Sequence, residues 1–230
     1  MKNIAVILAG GSGSRLGADR PKQFLPLKDG RTVLETCVDA FHQNEHIDEI
    51  AIVMLRDHIA EAQALLPTSR FPKIKYWIPG GAERWESSKN AVKAIAGAYS
   101  PSDCNVLLHD CARPFISQNL ITRVCEALQT HEAVSVAVPV TDTLYAVSQD
   151  NPDVIADIPA RALFRRAQTP QSFRLSVLQK AFSLAVQHMD GLMTDDAGVV
   201  LHYLPEVPIH ILPGEESNRK ITYKEDLETL

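Results

Sequence analysis

Short apolar runs alternate with helical stripes along most of this chain. Residues 4–8 form an all-apolar run bounded on its far side by glycines. A strand covered on both faces of a sheet carries that pattern. Val33, Leu34, Cys37, Val38 and Phe41 then recur at helical spacing, with Thr32 placed to cap them. The alternation continues. Strands are predicted over 50–55, 74–78, 106–108 and 133–140. Helical stripes fall on Ile59, Ala62, Leu65 and Leu66, on Val92, Ile95, Ala96 and Tyr99, and on Leu120, Ile121, Val124 and Leu128. Beyond them the pattern predicts helices over 175–188 and 195–204, a strand over 209–212 and a terminal helix over 224–230.

Strand and helix in alternation predict an α/β fold, a Rossmann-like and mostly parallel sheet with helices on both faces. In such sheets ligands gather in the loops that follow the carboxyl ends of strands. Residues 141–160 break the rhythm. They are polar, carry Pro152 and Pro159, and hold only weak strand patches at 143–147 and 154–158. An excursion of that length predicts an arm protruding from a single domain spanning 1–230.

Composition narrows the class. The formal net charge of −5 over 230 residues is no nucleic-acid footprint, so an anionic substrate needs a local basic site. Cys37, Cys104, Cys111 and Cys125 show no C-x-x-C spacing. Scattered thiols predict a reducing, cytoplasmic setting. The apolar start is too short for a signal peptide, and no stretch is long enough to predict a membrane span.

The first strand runs into Leu8-Ala9-Gly10-Gly11-Ser12-Gly13-Ser14-Arg15, followed by Gly17, Arg20 and Pro21-Lys22-Gln23-Phe24. Glycines let backbone N–H groups close on phosphate oxygens. Arg15, Arg20 and Lys22 outnumber Asp19, so a triphosphate suits the segment. Two other phosphate loops fail on spacing. The dinucleotide fingerprint would need glycine at Leu16, and the Walker motif needs a Gly-Lys pair that the chain lacks. At the third strand's end, Gly80-Gly81-Ala82-Glu83-Arg84 leads to Ser87, which reads either as the cap opening the next helix or as a ligand contact. At the fourth, His109-Asp110-Cys111-Ala112-Arg113-Pro114 offers a carboxylate. Beside a triphosphate it is a natural Mg²⁺ ligand; otherwise it caps the turn and pairs with Arg113. Thr194-Asp195 reads as a helix N-cap.

These segments together resemble the 2-C-methyl-D-erythritol 4-phosphate cytidylyltransferase family, which includes ribitol 5-phosphate cytidylyltransferases. The resemblance covers nearly the whole chain. It implies nucleotide contacts at Leu8, Ala9, Gly10, Gly11, Ser12, Gly13, Gly81, Ala82, Arg84, Ser87 and Ala112. It implies catalytic roles for Arg15, Lys22, Lys220 (in Asn218-Arg219-Lys220-Ile221-Thr222) and Arg161. It assigns the polyol phosphate to Asp110, Arg113, Thr143, Arg161, Thr169, Thr194 and Lys220, with Asp110 also the metal ligand. The 141–160 arm would exchange between the subunits of a homodimer, carrying Arg161 into the partner's site; Arg165 and Arg166 lie close enough to be confused with it.

The implied enzyme is a Mg²⁺-dependent nucleotidyltransferase that joins CTP and a small polyol phosphate, releasing pyrophosphate, with neither nucleic acid nor membrane as partner. Methylerythritol phosphate and ribitol phosphate both fit the shared motifs. Enzymes using another nucleoside triphosphate or sugar phosphate, and an idle nucleotide-binding module, are the alternatives. Against a metal-dependent glycosyltransferase stands the lack of any D-x-D sequence.

Overall fold

The computed structural model describes residues 1–11, 20–188, 195–223 and 225–226. The apolar run at the start becomes β1 (Lys2–Leu8). Thr32 caps α1 (Val33–Gln43) in a full capping box: its Oγ1 accepts from the Glu35 amide at 3.1 Å, and the Glu35 carboxylate accepts from the Thr32 amide at 2.9 Å. There follow β2 (Glu49–Met54), α2 (Ile59–Leu65), β3 (Ile74–Pro79), α3 (Arg84–Ala96), β4 (Cys104–Asp110), α4 (Gln118–Thr130) and β5 (Ala133–Pro139). After an excursion with two short strands, β6 (Ala146–Val147) and β7 (Ile155–Asp157), come β8 (Arg165–Arg174), α5 (Leu175–His188), α6 (Asp196–Tyr203) and β9 (His210–Pro213).

Seven strands form one sheet in the order β3-β2-β1-β4-β8-β5-β9. Only β8 runs against the rest; it is antiparallel to both β4 and β5. Side chains alternate across the sheet as the pleat requires. Ala5 and Ile7 of β1 face the layer of α1, α2 and α4, packing with residues such as Phe41 and Leu120. Ile4 and Val6 face α3, α5 and α6, with Ile95, Leu178 and Val199. The buried strands are apolar because both faces are covered.

The sequence reading did not anticipate β8. It is ten residues long and its buried stretch is largely polar, with Gln168, Thr169, Gln171 and Ser172 all buried. Pro170 within it argues against a central strand. The structure accommodates the proline at an irregularity: Ser135 opposes Gln171, but Ala137 opposes Ala167, so β8 bulges over 168–170. Helix α3 also begins earlier than expected. Glu83 is the N-cap, in a capping box with Glu86, and Ser87 lies one turn inside the helix. The expected terminal helix lies outside the described residues except for 225–226.

Within the excursion, β6 and β7 pair as an antiparallel ribbon. Tyr145, Val147, Val154, Ile155 and Ile158 along it are each at least half exposed. Among the described residues no helix is long and apolar enough to cross a membrane.

Candidate active site

The carboxyl ends of β1, β3 and β4 surround a cavity of about 440 Å³. Sheet order places it well. The chain after β1 crosses to β2 on one side, while β4 lies on the other, so the cavity opens at the switch point where loops diverge. One wall is the end of β1, where Leu8, Ala9, Gly10 and Gly11 line the cavity. The Ala9 amide bonds the Val53 carbonyl at 2.7 Å, fixing the entry to the glycine loop. The turn before α3 forms a second wall with Gly81, Ala82, Arg84 and Ser87. The Ser87 hydroxyl accepts from the Gly81 amide at 3.1 Å and donates to the Glu83 carbonyl at 3.3 Å, and the Glu86 carboxylate accepts from the Ala82 amide at 2.7 Å. The turn is therefore pinned by its own helix. Gly81 is required there, since a Cβ would lie 2.2 Å from Cβ of Glu86.

Cations reach the cavity from two directions. Lys22 begins a 3-10 turn whose next two residues, Gln23 and Phe24, are buried and anchor it. Its ammonium donates to the Ile221 carbonyl at 3.4 Å. Lys220 sits on the C-terminal loop, which is strapped to the β4 loop by the Ile221 amide on the Ala112 carbonyl at 2.8 Å. Its Nζ lies 2.7 Å from Oδ2 of Asp110.

Asp110 ends β4 and lies at the centre of this charge. Arg84 Nε donates to its Oδ1 at 3.2 Å, and the same guanidinium reaches the buried Asp196 at 2.7 Å through Nη1. Burial works to raise the Asp110 pKa, but Arg84 and Lys220 overcome it and hold the carboxyl well below the usual carboxylate range. Burial opposes the charge of Arg84 in turn, and the two carboxylates, Asp196 first, raise its pKa. For Asp196 burial prevails, and its pKa is raised despite Arg84.

The backbone of Asp110 is fixed as firmly. Its amide donates to Thr169 Oγ1 at 3.0 Å, and that hydroxyl lies 3.1 Å from His109 Nδ1. His109 Nε2 lies 3.0 Å from the Arg113 carbonyl. The carbonyl can only accept, so Nε2 carries the proton and Nδ1 accepts from Thr169. Burial favours this neutral form, pushing the His109 pKa down to about 4. Arg113 is itself largely buried, which lowers its pKa, and donates to the carbonyls of Asn218 at 2.8 Å and Ala167 at 3.3 Å.

The expected site residues thus separate into four groups. Leu8, Ala9, Gly10, Gly11, Lys22, Gly81, Ala82, Arg84, Ser87, Asp110, Ala112 and Lys220 share the cavity. Arg113 and Thr169 stand behind it, bracing Asp110 and the C-terminal loop. Thr143 on the excursion and Arg161 just after it are both exposed and do not line this chain's cavity, with Arg161 Nη1 on the Thr141 carbonyl at 2.7 Å. Ser12, Gly13, Arg15 and Thr194 lie outside the described residues. Sequence reasoning missed Asp196 and Gln171. Asp196 is marked in the sequence only as a carboxylate opening a largely apolar helix, and Gln171 lies in a polar stretch that hides it.

Asp110 suits a divalent cation: its charge is secure, it lines the cavity, and a carboxylate offers about four lone-pair sites, of which two are engaged. Among the described residues no three His, Cys, Asp or Glu side chains gather to hold a metal on their own. One carboxylate completed by phosphate oxygens and water is the arrangement magnesium prefers.

Comparison with known proteins gives a consistent result. The 2-C-methyl-D-erythritol 4-phosphate cytidylyltransferase (IspD) family model matches residues 3–229. A 2-C-methyl-D-erythritol 4-phosphate cytidylyltransferase of Thermobifida fusca is 46% identical over 225 residues, 97% of this chain and 89% of that protein. The bifunctional ribulose 5-phosphate reductase/CDP-ribitol pyrophosphorylase Bcs1 of Haemophilus influenzae is 37% identical over 227 residues, 98% of this chain but 47% of that longer protein. The crystal structure of 4-diphosphocytidyl-2C-methyl-D-erythritolsynthase from Anaerococcus prevotii superposes with a TM-score of 0.83 at 28% identity, covering 99% of this chain and 93% of the other.

Proposed function

The chain belongs to the 2-C-methyl-D-erythritol 4-phosphate cytidylyltransferase family, and from that premise we propose that it transfers the CMP group of CTP to a small polyol phosphate, releasing pyrophosphate. The observation that carries this reading is the pair of lysines, Lys22 and Lys220, at one glycine-walled cavity beside an ionised Asp110. Binding a nucleotide needs the glycine walls. Two separate lysines are better suited to a reaction in which two phosphate groups meet.

The chemistry needs no covalent intermediate. A phosphate oxygen of the polyol phosphate attacks the α-phosphorus, and the bond to pyrophosphate breaks in line. The attacking phosphate is ionised at neutral pH, so no general base is needed. Catalysis is then positioning and charge stabilisation. The glycine walls shape the cavity that would receive the nucleotide. Lys22, with Arg15 from the first loop, stabilises charge on the α-phosphoryl group, and Lys220 leaves Asp110 to hold the attacking phosphate. Asp110 would hold a magnesium ion, which would neutralise the remaining phosphate charge.

The excursion at 141–160 is assigned to a homodimer. Its ribbon carries Tyr145, Val147, Ile155 and Ile158 exposed, a cost in water that a second subunit would remove. Thr143 and Arg161, which do not line their own chain's cavity, would then serve the partner's. A cytoplasmic location goes with this biosynthetic role.

Both acceptors named by the relatives enter the test. Pyrophosphate release is measured with CTP, Mg²⁺ and either methylerythritol phosphate or ribitol phosphate. Release with the first alone places the enzyme in isoprenoid precursor synthesis. Release with the second alone places it in CDP-ribitol supply for cell-surface polymers. Release with neither overturns the polyol assignment.

A further inference from the structure

Asp196 is a fully buried carboxylate at the start of α6, outside the cavity. Charged groups are rarely buried without a partner, and this one has a specific one. Its Oδ2 accepts from Arg84 Nη1 at 2.7 Å, while Arg84 Nε reaches Asp110 at 3.2 Å. The guanidinium is thus a planar bridge between two carboxylates, one buried in the scaffold and one in the site. Its orientation is fixed by both ends.

The backbone of Asp196 is held as well. Gln171 Oε1 accepts from the amides of Asp196 and Ala197, each at 3.0 Å, while Gln171 Nε2 donates to Asp195 Oδ2 at 2.7 Å. Gln171 lies on β8, two residues from Thr169, whose hydroxyl accepts from the Asp110 amide at 3.0 Å. A closed ring results. From Asp110 it passes through Arg84 to Asp196, through Gln171 to β8, and through Thr169 back to Asp110. Every link is a hydrogen bond between named atoms or the covalent strand itself.

We propose that Asp196 is a positioning residue for the transfer reaction, which sets Arg84 so that the Asp110 carboxylate faces the cavity in one orientation. Asp196 touches no substrate and acts only through Arg84. Without it the guanidinium is free to turn fully onto Asp110 and take up the oxygen that Lys220 holds and that a cation would need. The inference rests on the cytidylyltransferase reading. It concerns the reacting phosphates more than the nucleotide, because the Gly81–Ser87 turn is pinned by Glu86 independently of Arg84.

The test uses the full chain, with pyrophosphate release from CTP and the accepted polyol phosphate, thermal melting, and CTP binding measured directly. If the wild-type chain is silent, the functional reading itself fails. With an active wild type, Asp196→Ala is expected to lower kcat by about tenfold or more, as small displacements of reacting groups do. The dissociation constant for CTP should change far less. Arg84→Lys keeps the charge but replaces the rigid planar fork, whose Nε and Nη1 address separate carboxylates, with a point charge on a flexible stem, so it is expected to match that loss. The double variant should be no worse than either single one in kcat. Additive losses in kcat overturn the proposal, as does a lowered melting temperature with kcat unchanged. Should Asp196→Ala not fold, Arg84→Lys decides alone: a wild-type kcat in that variant overturns the proposal.

Discussion

Gly81→Ala introduces a single methyl group at the pinned turn. Its Cβ would lie 2.2 Å from Cβ of Glu86, 2.8 Å from Oε2 and 3.2 Å from the Glu86 carbonyl carbon. Carbon atoms in contact settle near 3.5–4.0 Å, so the nearest pair must separate by more than about 1 Å. The obstructing atom is the root of a side chain in the first turn of α3, which cannot swing aside without moving the helix. Relief therefore breaks the capping box that Glu86 makes with Glu83 and releases the Ala82 amide. Losing a cap costs about 1 kcal/mol, and residual overpacking costs about 1–3 kcal/mol. A total destabilisation of roughly 2–4 kcal/mol is expected, together with weaker CTP binding, because the displaced turn is a cavity wall. Urea denaturation gives the first quantity and calorimetric titration with CTP the second. Stability within about 0.5 kcal/mol of wild type with unaltered CTP affinity would refute the reasoning.

Lys22→Ala should reduce kcat more than it weakens CTP binding; equal losses in both would remove Lys22 from transition-state stabilisation. Chelation of divalent cations should abolish pyrophosphate release, with added Mg²⁺ restoring it, and full activity in chelator would dismiss Asp110 as a metal ligand. Stability should decline as pH falls. The His109 pKa is depressed from 6.5 to about 4 by burial, so the unfolded chain takes up a proton that the folded chain refuses. The contribution is complete above about pH 6.5. It diminishes toward pH 4, amounting to about 3 kcal/mol over that window. Urea midpoints from pH 7 to pH 4 measure it, and His109→Gln should flatten the slope. Ile155→Asp, on the exposed ribbon, should shift the proposed dimer to monomer in sedimentation; a wild-type monomer would remove the dimer, and a dimer unchanged by the substitution would place the interface elsewhere.

The first five strands were legible because each is an apolar run between breaking residues, and the helices between them because one face repeats apolar residues. The glycine loop, Lys22 and Asp110 stood out because phosphate and metal chemistry calls for those residue types at strand ends, whereas Lys220 stood out only through the resemblance of its segment to the family's. Strand β8 was hidden because it exchanges apolar side chains for hydrogen-bonded ones: Thr169 braces Asp110 and Gln171 holds the start of α6. A strand that serves a polar network loses the signature by which strands are recognised. Asp196 was hidden for a related reason. A carboxylate in a first helical turn usually answers the helix dipole, and nothing in its neighbours in sequence points to Arg84, 112 positions away. The start of α3 was misplaced because serine is the common cap, whereas here Glu83 and Glu86 divide that task.

The position of β8 also governs the order in which the molecule can be built. Translation delivers β1 to β4 first, and these four pair with one another. It then delivers β5 at residues 133–139, with neither of its sheet neighbours yet made. One of them, β8, arrives after the excursion, and the other, β9, ends at Pro213. Until then a nascent chain presents three unsatisfied edges, one on β4 and both of β5, of the kind that invite aggregation. The loop carrying Lys220 and the Ile221 amide emerges later still. Everything up to Lys220 must therefore leave the ribosome before Asp110 acquires its ammonium partner, and chains cut short upstream of it would carry the nucleotide walls without that cation.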